Sequence, residues 1–186
     1  MPVSIRALAL ALALSSILLA GAPSCRTVGA TRKVASYITV PSPSPTTPAQ
    51  RQRLARDRFA VNAGLAAGAV QQWIVKPSKG GAFSKGARGR EAALLKASLG
   101  GTFAYSRLTA ARRNARGDPA LSRALVPLLA SIDSLKGLQG RLRKGDQSAV
   151  GSFDTVIRRV KAAGKSAGVP VRTLVPSGPQ LARGRP

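Results

Sequence analysis

Between Ala49 and Ala167 the apolar positions recur every three or four residues, the spacing of one buried face on a helix. Four such runs follow one another. In residues 49–75, Phe59, Ala63, Ala66, Val70 and Trp73 mark the inward side. Ala60, Gly64 and Gly68 form a second ridge, small enough for close backbone approach. Pro77 is expected to end this helix, because the residue before a proline disfavours helical backbone. In residues 89–116, Leu94, Leu95, Leu99, Phe103 and Leu108 supply the apolar side. Glu91 falls in the first turn and Arg112, Arg113 and Arg116 in the last, complementing the helix dipole. Gly100-Gly101 costs about 1 kcal/mol per glycine against alanine, which predicts a close helix crossing there.

Asp118-Pro119 opens the third run as N-cap and first-turn proline. Leu121, Leu125, Leu128, Ile132, Leu135 and Leu142 follow at spacings of three and four, with a gap at Gln139. Pro127 is expected to kink this helix or break it near Ala124. The fourth run opens at Asp146, carries Val150, Phe153, Ile157 and Val160, and is stopped by Gly168 and Pro170. Short connections make sequential helices antiparallel neighbours. The predicted fold class is therefore all-α, a small antiparallel bundle of about four helices over residues 49–168.

The flanks carry no such period. In residues 1–24, Arg6, an apolar Ala7–Ala20 stretch and the small residues Ala20-Gly21-Ala22 read as an export signal cleaved near residues 22–30. Its apolar stretch is short for a membrane span, which needs about 20 residues. Cys25 is a candidate lipidation site, although Ala22-Pro23-Ser24 before it departs from the usual lipobox. Residues 25–48 form a Pro/Ser/Thr-rich linker, either a stalk or a plain flexible N-terminus. Residues 169–186, with four prolines and three arginines, are expected to be a disordered basic tail.

Composition narrows the function. With 30 basic and 6 acidic residues the formal charge is +24, and arginine outnumbers lysine 21 to 9. Such a surface favours anionic lipid or wall polymer as a partner. Nucleic acid ranks lower, for lack of a recognition motif and because export removes the chain from the genome. The chain has no histidine and one cysteine, which leaves no metal site on nitrogen or sulfur ligands and no Ser-His or Cys-His pair. Of the carboxylates, Asp118 and Asp146 read as caps, Glu91 as a dipole partner and Asp57 as an ion pair among its arginines. No catalytic residue, cofactor or metal is expected, and the chain reads as a non-enzyme.

The richest stretch is the basic, glycine-punctuated connection from Lys76 to Arg90. Lys76, Lys79, Lys85, Arg88 and Arg90 are the candidate anion-binding residues, and Trp73 and Phe83 the candidate aromatic contacts at a lipid interface or on bases. A plainer reading puts Trp73 in the core, lets Phe83 pin the loop, and leaves the cations solvated. A membrane-inserting hairpin over residues 59–75 and 92–105 is a further alternative, opposed by Asn62, Gln71, Gln72 and Lys96. So is a non-specific nucleic-acid binder.

Asn62-Ala63-Gly64-Leu65-Ala66-Ala67-Gly68-Ala69, Trp73-Ile74-Val75-Lys76-Pro77 and Gly81-Ala82-Phe83-Ser84-Lys85-Gly86-Ala87-Arg88-Gly89-Arg90 together resemble a group of uncharacterised exported helical proteins of high-GC Gram-positive bacteria. The likeness runs over about residues 55–115. It implies export and helices, and no active site.

Overall fold

The computed structural model describes Ser44 and residues 46–183. The expected export signal, Cys25 and most of the linker lie outside the described residues. What is described is all-α, as the periodicity predicts, with no strand among the described residues.

Helix α1 spans Pro48–Val70 and starts on a capping box. The Thr47 side chain accepts from the Gln50 N–H, and the Gln50 side chain reaches back to the cap backbone. The helix does not stop before Pro77. It widens into a π-turn, Gln71–Val75, and resumes as α2, Lys76–Lys79. Proline has no N–H and its ring crowds the carbonyl four residues back. The wider turn accommodates this, with the Lys76 N–H bonding to the Gln71 carbonyl instead. The expected stop is thus displaced to Gly80-Gly81, where Gly81 has φ 73°. There the Gly81 N–H bonds to the Ser78 carbonyl at 3.1 Å and the Ala82 N–H to the Pro77 carbonyl at 2.9 Å, a Schellman closure.

Helix α3, Arg90–Ala115, returns antiparallel along α1, and the two share the most extensive helix contact in the structure. Trp73 lies over Gly100, Asn62 meets Arg107, and Ala55 faces Gly117. The predicted close approach at Gly100-Gly101 is present. A Cβ on Gly100 would stand 3.0 Å from the Trp73 Cβ, and one on Gly101 would stand 2.8 Å from Leu142 Cδ1. The third run is broken as Pro127 predicts. It comprises α4 (Pro119–Leu125), a 3₁₀ turn (Val126–Leu128), α5 (Leu129–Ser134), a second 3₁₀ turn (Leu135–Gly137) and α6 (Gln139–Arg143). The breaks keep Leu121, Leu125, Leu128, Ile132, Leu135 and Leu142 all buried. Helix α7, Gln147–Ser166, carries the buried stripe of Val150, Phe153, Val156, Ile157 and Val160.

Beyond Gly168 the structure departs from the expected disordered tail. Residues 169–177 form no helix or strand, yet they are strapped onto the bundle. Val169 and Val171 are buried against Gly164 of α7. The chain then crosses α1, where the Leu174 N–H bonds to the Gly64 carbonyl at 3.0 Å. A short helix α8, Gly178–Arg183, follows and buries Leu181 near α3. The Gly64 and Gly68 positions of the predicted ridge therefore receive a non-helical segment rather than a second helix. The backbone of Arg172 covers Gly64 and that of Leu174 and Val175 covers Gly68.

No helix among the described residues is long and apolar enough to cross a membrane.

Candidate anion-binding end of the bundle

The connection from α2 to α3 is a run of turns. Successive 3.0–3.1 Å bonds join the Ser84 N–H to the Gly81 carbonyl, Ala87 to Ser84 and Arg90 to Ala87. Positive φ values at Gly81, Gly86 and Gly89 let the chain reverse three times in nine residues. Phe83, with 3% of its surface exposed, plugs the connection into the core. That removes Phe83 from the candidate aromatic contacts, because a buried ring can neither enter a bilayer nor stack on a base. Trp73 is half-buried over Gly100, with Lys96 Nζ 5.9 Å from its ring centroid. Its indole N–H is enclosed and finds no acceptor among the described residues.

The five candidate cations divide. Lys76, Lys79, Lys85 and Arg88 are exposed, and none joins an ion pair among the described residues. Lys76 Nζ is held by Gln72 Oε1 at 3.2 Å. Arg90 is half-buried and structural in part, since its Nε donates to the Phe83 carbonyl at 3.0 Å and fastens the loop to the start of α3. The structure adds residues from far along the chain. Gly145, in the turn between α6 and α7, lies beside Arg90 and the Phe83 carbonyl. The Ser78 hydroxyl donates to Gln147 Oε1 at 2.7 Å. Arg143 and Lys144 therefore join the same end of the bundle, both exposed and without an ion pair among the described residues. Some sixty residues separate them from the loop, so only the antiparallel return of the later helices could reveal them. Glu91, exposed at the head of α3, is the carboxylate at this end that joins no ion pair among the described residues.

Most of the other carboxylates are committed to other partners. Asp118, with 0% of its surface exposed, accepts from the Leu121 N–H at 2.9 Å, from Gln52 Nε2 at 2.8 Å and from Arg56 Nε at 2.6 Å. It caps α4 and ties the α3–α4 corner to the start of α1. Arg56 is thereby drawn away from Asp57, which is exposed and, among the described residues, without the ion pair expected for it. Asp133 pairs with Arg112 at 3.0 Å and Asp154 with Arg158 at 3.3 Å. Asp146 caps α7 and pairs with Arg141 at 2.7 Å.

Burial by itself pushes the Asp118 carboxyl up. The hydrogen bonds from Leu121, Arg56 and Gln52 outweigh it and bring the carboxyl from its ordinary 3.8 down to about 2. Asp146 is held at about 2 chiefly by the Ser148 hydroxyl and by Arg141. A carboxyl depressed in the folded state binds its proton more readily once unfolded. Its stabilisation is whole above pH 3.8 and is lost as pH falls toward 2. Thermal unfolding is thus expected to be insensitive to pH from neutrality down to about 4, then to fall steeply. An Asp118→Asn chain would show a shallower acid limb, and an unchanged limb would count against the assignment.

Among the described residues, no three His, Cys, Asp or Glu gather as a metal site. What the geometry places together is a cationic cap on an all-α bundle. Compared with protein-family models, curated proteins and solved structures, the chain finds no match in any of the three.

Proposed function

We propose that this is an exported, non-enzymatic basic helical protein that binds anionic cell-envelope surfaces through the 76–90 connection. Arg143 and Lys144 on the neighbouring turn extend the contact. One observation carries the reading: among the described residues, Lys76, Lys79, Lys85 and Arg88 stand exposed without carboxylate partners on a tightly turned backbone, while four of the six carboxylates pair with other cations. Cations that are neither paired nor buried are free to meet an anionic partner, and the turned backbone limits the ordering cost of doing so.

The chain is expected to bind polyphosphate and vesicles containing phosphatidylglycerol, with affinity falling steeply as salt rises. A Lys79→Ala/Lys85→Ala/Arg88→Ala chain should lose roughly tenfold or more, from three surface charges near an anionic surface. Retention of full affinity by that variant would refute the assignment. Tighter binding to single-stranded DNA or RNA than to either envelope-like probe would favour the nucleic-acid reading instead.

A further inference from the structure

The strap that crosses α1 leaves aliphatic surface exposed, although the Leu174 side chain also leans on Gly64. Val175 is 61% exposed and Leu174 39%, and Val61, one turn before Gly64 on α1, is 49% exposed. The Leu174 N–H bonds to the Gly64 carbonyl and the backbone of Leu174 and Val175 is seated on Gly68, so their exposed surface is held on the bundle. Cations border them. Arg172 is exposed, Lys161 Nζ reaches Thr173 Oγ1 at 3.1 Å, and Arg58 is exposed one turn before Val61. Asp57, in that same turn, is the carboxylate on this side of α1, and Arg53 and Arg58 lie within a turn of it. The patch and the basic end are linked along the first helix. Gly68, Gln72 and Lys76 follow at four-residue spacing, and Gln72 holds the Lys76 ammonium. Gly68 under the strap and Lys76 at the basic end are thus eight residues apart along one continuous rod.

We infer that this side of the protein, Val61, Leu174 and Val175 with Arg58, Arg172 and Lys161 around them, docks on an anionic lipid bilayer. The inference rests on the reading of the basic end as an anion site and fixes which anion it meets. A hydrated phosphate polymer offers exposed aliphatic groups nothing. A bilayer interface offers an apolar phase beside anionic headgroups, which suits a cationic border around shallow apolar side chains. The protein lies on the surface, since only the tips of three aliphatic residues are free to enter it.

The test compares two probes, vesicles of phosphatidylglycerol and phosphatidylcholine, and soluble polyphosphate. In a Leu174→Ser/Val175→Ser chain, vesicle affinity should fall roughly tenfold through loss of apolar burial, while polyphosphate affinity stays at the wild-type value. Val175→Ser alone changes the most exposed of the three and should give a smaller loss in the same direction with an unchanged melting curve. Unchanged vesicle binding in the double variant overturns the inference, and so does a parallel loss on both probes. Wild-type protein that binds polyphosphate but not vesicles also overturns it, leaving the basic-end reading intact. Binding to neither probe removes both.

Discussion

Replacing Gly68 with valine is expected to dislodge the carboxy-terminal strap. A Cβ at this position would occupy the space of the Leu174 carbonyl and crowd the Val175 Cα, and neither is the yielding end of a flexible side chain. Either α1 shifts within a packed bundle or the strap lifts from Gly64 and Gly68. Overpacking of this kind costs about 2–3 kcal/mol, which corresponds to a melting temperature lower by roughly 5–10 °C. The effect should be local as well as global. Trypsin should cut after Arg172 markedly faster in the variant, because lifting the strap exposes the flanking backbone. Gly151 on α7 makes the control, since a Cβ there meets nothing within 4 Å. Gly151→Ala is expected to leave stability unchanged or raise it by up to about 1 kcal/mol. A Gly68→Val chain that melts and digests like wild type would mean the strap is not seated on this ridge.

Asp118→Ala should cost a similar amount for a different reason. The substitution removes the α4 cap, worth about 1 kcal/mol, and leaves Gln52 and Arg56 without their acceptor. Loss of one partner in a fully buried pair costs about 3–5 kcal/mol. Arg56 is 39% exposed and can rehydrate, so a combined loss of about 2–3 kcal/mol is expected. Asp118→Asn keeps an N-cap acceptor and should fall between that variant and wild type. Chemical denaturation of the three proteins would rank them. Asn and Ala variants of equal stability would show that the cap contributes nothing.

The helical spans are legible in the sequence because their signals are local. Asp118 and Asp146 stand at caps, Gly168 closes α7, and Pro127 breaks the third run, all at the residues that announce them. The capping box at Thr47 is just as local, but Pro48 reads as part of the linker and hides it. Pro77 shows a local rule yielding to packing. Ile74 and Val75 are buried on the far side of the turn, and a π-turn keeps them there while making room for the ring. The strap is illegible for a physical reason. Val169, Val171 and Leu181 carry no period and sit among prolines, and the Gly64 and Gly68 ridge that seats the strap lies far back in the chain. Composition alone makes such a segment look unable to bury anything.

The candidate site is half legible. Charge and glycine mark residues 76–90, and four of the five named cations are exposed and outside any ion pair among the described residues. Arg90 reads as one of a set and instead commits its Nε to a carbonyl. Phe83 sits in a basic, glycine-rich stretch, and only tertiary packing shows that it is its anchor. Arg143 and Lys144 carry no mark that sets them apart from other basic pairs. Their place follows from where α6 happens to end.

The π-turn at Gln71–Val75 uses five residues where an ordinary turn uses about four. In a regular helix each added or lost residue swings everything beyond it by about 100°. A widened turn absorbs one residue without that swing. The heading of Lys76 and Lys79 is therefore decoupled from the exact length of the rod beneath them, and the first helix can gain or shed a residue at this joint while its charged tip still faces the same way.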